Sequence, residues 1–116
     1  MIIGHENDTY ELSQDEKILA SKLIPHFKNR SKNNPVKAKE IVAGVNLVYK
    51  LNTKFSEVRL RKIVNYYRVN SILPIISTCK GYYVSYDPED INEMIKSLNQ
   101  RAKSILDCSE GLKTFL

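Results

Sequence analysis

Residues Lys54 to Val84 read KFSEVRLRKIVNYYRVNSILPIISTCKGYYV. Leu60, Ile63, Val64 and Tyr67 recur at helical spacing, so one apolar stripe faces a core. At about 3.6 residues per turn, Arg61, Lys62 and Asn65 point away from that stripe, with Arg59 and Arg68 on its flanks. Thr53 or Ser56 serves as the N-cap. Pro74 closes the segment. Two short β-rich runs follow, Ile75-Ile76-Ser77 and Tyr82-Tyr83-Val84, with Thr78-Cys79-Lys80-Gly81 as the turn between them. The reading is a basic helix followed by a small hairpin tipped with a lysine and a glycine.

Charge is distributed to match. The chain of 116 residues carries a net +5. Residues 1–27 hold two basic and five acidic side chains, residues 28–80 twelve basic against Glu40 and Glu57, and residues 81–116 four basic against six acidic. A middle stretch at +10 between acidic ends is a field directed at a polyanion, where a merely solvated surface would mix its signs.

The pattern LRKIVNYYR…LPIIS…GYYVS resembles the small winged-helix proteins of prokaryotes and their phages, over roughly Leu12 to Leu106. The resemblance implies a mainly α fold with a small antiparallel β-wing (α+β), here extended by an additional C-terminal helix. It also implies that the helix enters the major groove while the wing lies on the DNA backbone, and that Val36 and Lys37 supply a short strand pairing with the wing.

Working outward, 1–11 is a polar lead-in, 12–86 the winged-helix domain, 87–110 a C-terminal helix that packs on the core or dimerises, and 111–116 a tail. Ser13-Gln14-Asp15-Glu16 has the form of a capping box. The helix it opens should bury Ile18, Leu19, Leu23, Ile24 and Phe27, and Pro25 should kink it or end it early. Residues 28–35, KNRSKNNP, are a loop by composition. A short second helix spans 38–43, with Gly44 as terminator. Asp87-Pro88-Glu89-Asp90 is a strong helix start. Ile91, Met94, Ile95, Leu98, Ala102, Ile105 and Leu106 then recur at helical spacing, up to Gly111. Part of that stripe covers the core, and the remainder offers a homodimer seam.

The composition excludes several classes. Cys79 and Cys108 are too few for a disulfide framework and read as free thiols of a cytoplasmic protein. No run is long enough to span a membrane, and MIIGHENDTYEL lacks the order of a signal peptide. The basic region offers a nuclease only Glu40 and Glu57, on two different helices. His5 and His26 stand alone. The Tyr66-Tyr67 and Tyr82-Tyr83 pairs have no His-x-His of the strand-transfer kind beside them, so Tyr67 and one of each pair go to the core, with phenol tips hydrogen-bonded at its edge. No glycine-rich phosphate loop exists. The expectation is a non-enzymatic protein with no cofactor and no metal.

Binding has better candidates. Arg61 and Lys62 can reach guanine O6 and N7, and Asn65 can bond adenine bidentately. Lys54 and Ser56 suit contacts at the helix start, Arg59 flanks them, and Val58 can touch a thymine methyl or the edge of the core. Lys80 on the wing, Lys37 and Lys39 at helix two, and Lys28, Arg30 and Lys32 in the loop are phosphate candidates. The expected function is double-stranded DNA binding, as a transcription regulator or a phage or mobile-element accessory protein. The alternatives are a winged-helix module meeting an acidic protein, or an RNA-binding module that stacks bases on tyrosines.

Overall fold

The structure, a computed structural model, describes residues 11–51 and 53–116; His5 and nearly all of the lead-in lie outside them. It divides into two compact units, Met1–Ser85 and Tyr86–Leu116. The first contains α1 (Gln14–Lys28), α2 (Ala38–Val48), α3 (Glu57–Val69) and a hairpin of β1 (Ile75–Thr78) and β2 (Gly81–Val84); the second is α4 (Pro88–Lys113). The protein is therefore mainly helical with a small two-stranded antiparallel sheet.

α1 starts at the capping box read in the sequence. The Glu16 amide donates to Ser13 Oγ at 3.2 Å, and the Ser13 amide donates to Glu16 Oε1 at 2.9 Å. Leu19, Ala20, Leu23 and Phe27 are buried. Ile18, expected inside, is half exposed, because it sits about 100° back from Leu19, on the side away from Phe27. Pro25 does not stop the helix, which runs on to Lys28. Pro25 and Ser21 both lie on the exposed side, where water can take the Ser21 carbonyl that a proline cannot serve.

α2 also outruns its expected end, passing through Gly44 to Val48. A glycine ends a helix when it turns left-handed, and Gly81 is the one described glycine with positive φ. The buried Val45, one turn on from the partly buried Ile41, carries the packing past it. The link to α3 is fastened by Asn46. Its amide nitrogen donates to the Phe55 carbonyl and its oxygen accepts from the Phe55 amide, both at 3.0 Å. Ser56, rather than Thr53, caps α3, its hydroxyl accepting from the Arg59 amide at 3.3 Å. Leu60, Ile63, Val64 and Tyr67 are all buried, as their spacing requires.

Around α3 the core gathers Leu19, Leu23, Phe27, Val45, Phe55, Leu73 and Ile75. Phe27 meets the rings of Tyr67 and Tyr82 edge-on, the arrangement the ring quadrupoles favour. The Tyr67 hydroxyl donates to the Ala20 carbonyl. Burial, reinforced by neighbouring Tyr66, pushes that phenol well above its ordinary value. Tyr83 is buried while Tyr66 and Tyr82 stand half-buried at the edge.

The hairpin pairs Ile75 with Val84 and Thr78 with Gly81 around a two-residue turn of Cys79 and Lys80. Val36 adds a single antiparallel bridge on the free edge of β2. Its amide donates to the Tyr82 carbonyl at 2.9 Å, and the Tyr82 amide returns a bond at 2.8 Å. Gly81 is required there twice over. Its φ is +129°, and a Cβ on it would lie 2.5 Å from the Val36 carbonyl oxygen. That glycine admits the chain's own backbone.

In the second unit, Asp87 caps α4 by accepting from the Glu89 amide at 2.9 Å, with Pro88 in the first turn. The helix passes the expected stop at Gly111 and ends at Lys113. All residues from Asn99 onward are exposed.

Candidate nucleic-acid interface

Glu16, read in the sequence only as a capping residue, is the hub of the first unit. Its side chain is 3% exposed and takes two cations, Arg59 Nε at 3.1 Å and Lys62 Nζ at 3.0 Å. Burial alone would raise its carboxyl. The Ser13 amide and the Lys62 and Arg59 donors outweigh burial and hold the group below the ordinary carboxylate value. Arg59 also donates to the carbonyls of Thr53 and Lys54 and lies over the Phe55 ring. One carboxylate thus joins the start of α1 to the chain entering α3 and to the first two turns of that helix.

The candidates of α3 therefore divide. Arg59 and Lys62 lean toward α1 and are only 18% and 14% exposed. Arg61, one step round the helix from Lys62, is exposed, and Asn65 is half-buried. Among the described residues, the side chains of Lys54, Arg61 and Asn65 make no hydrogen bond or ion pair. Val58 and Val69 share the outward face and are 44% and 69% exposed. Arg68 instead ties α3 to the hairpin, donating to the Ile75 carbonyl at 3.0 Å and to Ser77 Oγ at 3.2 Å.

A second group forms at the hairpin tip. The close approach of Gly81 to the backbone of Val36 and Lys37 brings Lys37 beside the turn that carries Lys80, although 43 positions separate them in the chain. Lys37, Lys39 and Lys80 are exposed, and none has a side-chain partner among the described residues. Thr78 braces the turn, its hydroxyl accepting from the Lys80 amide at 3.2 Å. Lys28, which ends α1, and Lys32 in the loop after it are exposed, while Arg30 is half-buried and donates to Asn34 Oδ1 at 3.3 Å.

Glu40 and Glu57 are exposed on separate helices, and no three His, Cys, Asp or Glu side chains gather among the described residues. His26 borders a cleft of about 570 Å³ beside α1 and α2, floored by Phe27, Val36, Ile41 and Val45, with Arg30 and Glu40 also on its wall. Sequence reasoning missed Asn46 and the second role of Glu16. Both depend on partners that no local pattern marks. No helix among the described residues is long and apolar enough to cross a membrane.

No family model matches the chain, and no curated protein or solved structure matches it either.

Proposed function

We propose that the chain is a winged-helix protein that binds double-stranded DNA without acting on it chemically. In this reading α3 enters the major groove and the β1–β2 turn rests on the phosphate backbone. The observation that carries it is the division on α3. Glu16 immobilises Arg59 and Lys62, while Arg61 and Asn65, the types that read guanine and adenine, have no side-chain partners among the described residues. Support also comes from the element order, with Val36 bridging the outer edge of β2, and from the +10 charge of residues 28–80. Arg61 and Asn65 read bases, with Lys54 and Ser56 beside the groove. Lys37, Lys39 and Lys80 neutralise phosphates, and Arg59 and Lys62 set the pose of α3 through Glu16. Such a protein acts in the cytoplasm as a transcription regulator or as an accessory of a phage or mobile element.

A second reading, docking on an acidic protein, draws on the exposed Val58 and Val69 flanking Asn65 on the outer face of α3. Selection from a pool of random duplexes separates the two. DNA reading predicts enrichment of a defined base pattern over successive rounds, whereas an acidic-protein surface retains duplexes without enriching any sequence, because phosphate attraction carries no base code.

A further inference from the structure

Beyond residue 98, α4 and the turn of i→i+3 hydrogen bonds that follows it to Leu116 expose a run of large apolar side chains. Ile105, Leu106, Leu112, Phe115 and Leu116 are each more than three-fifths exposed. A solvated helix has no need of such a stripe. Its spacing is heptad in form, with Leu98, Ile105 and Leu112 at one seam position and Ala102, Ser109 and Leu116 at the other. These alternate by four and three, the repeat that keeps a seam facing a partner helix.

The alternation of sizes selects the partner and its direction. In a parallel in-register pair, Ala102 would face Ala102 and Ser109 would face Ser109, leaving two underfilled layers. Turning one copy round places Ala102 opposite Leu112 and Ser109 opposite Ile105, so each small residue meets a large one. The flanks agree: Leu106 meets its own copy on one side and Cys108 its own copy on the other. Arg101 then faces Phe115 and Lys113 faces Asn99, so no like charges oppose. Burying the five exposed residues at roughly 100 Å² apiece removes about 1,000 Å² over two copies, the lower bound for a specific interface.

We propose that α4 and its terminal turn form a dimerisation element, with residues 98–116 of two copies pairing antiparallel about a twofold axis level with residue 107. The pairing is isologous, so a second copy of this chain supplies every contact. It is independent of DNA binding.

The test uses the whole chain carrying Cys79→Ser, which leaves Cys108 as the single thiol. Sedimentation equilibrium should give twice the chain mass at micromolar concentration, and a short bismaleimide should join Cys108 to Cys108 as a covalent dimer. Ile105→Asp should weaken the dimer by at least about a hundredfold while the far-ultraviolet circular dichroism of the first unit's helices persists. A protein that is monomeric throughout overturns the proposal, as does a dimer indifferent to Ile105→Asp. A dimer that fails to cross-link at Cys108 but forms a disulfide in Leu112→Cys is parallel and overturns the stated geometry.

Discussion

Replacing Glu16 by glutamine keeps the shape of the side chain and its acceptor for the Ser13 amide, and removes one negative charge. In the wild type that charge accepts from Arg59 at 3.1 Å and Lys62 at 3.0 Å. Hydrogen bonds to charged groups contribute about 1.5–3 kcal/mol each, against about 0.5–1.5 for neutral ones. Arg59 and Lys62 keep 18% and 14% of their side-chain surface and can turn partly to water, so the sum of two such differences is discounted. The expected loss for Glu16→Gln is about 2 kcal/mol. For a unit of this size that lowers the melting temperature by roughly 8–16 °C. The pH dependence fixes the cause. The folded-state carboxyl sits below its ordinary value of 4.5, so its contribution is complete above that value. It is lost as pH falls through the lower folded value. Thermal melts of both proteins between pH 7 and pH 3 should show a constant gap near neutrality that closes in acid. A gap that persists unchanged at pH 3, or none at pH 7, would refute the ion-pair account of how α3 is held.

Three further substitutions report on the frame that positions the site. Gly81→Ala meets both a φ of +129° and a contact at 2.5 Å with backbone; it should cost about 2 kcal/mol or more in chemical denaturation. Gly44→Ala, in a helix interior where an added Cβ meets nothing within 4 Å, should stabilise by about 0.8–1 kcal/mol, seen as a higher melting temperature. Asn46→Ala strips both backbone groups of Phe55 of their partner and should cost about 2–4 kcal/mol by urea titration.

What was legible in the sequence was what local periodicity and capping chemistry encode. The stripe of α3, the Ser13–Glu16 box and the Asp87-Pro88 start of α4 each involve residues within about one turn of each other, and all three formed. The hairpin was legible because Gly81 and the β-branched runs mark it. The helix ends expected at Pro25 and Gly44 were overrun because those residues lower helix propensity without forbidding the next turn, and Phe27 and Val45 gain enough by burial beyond them; Gly111 was overrun as well. The pairing of Glu16 with Arg59 and Lys62 was not legible, since 43 and 46 residues separate the partners. For the same reason Arg61 and Lys62 look equivalent along the chain and differ only once α1 is in place.

That difference can be measured on DNA. On a duplex enriched from a random pool, binding isotherms of wild type and Arg61→Ala are compared with those on a scrambled duplex. Base reading by Arg61 predicts that Arg61→Ala loses about 1–3 kcal/mol on the enriched duplex, relaxes the preference at one base pair, and changes little on the scrambled one. Equal affinity of wild type and Arg61→Ala for the enriched duplex, or a wild type that never distinguishes the two duplexes, would contradict it.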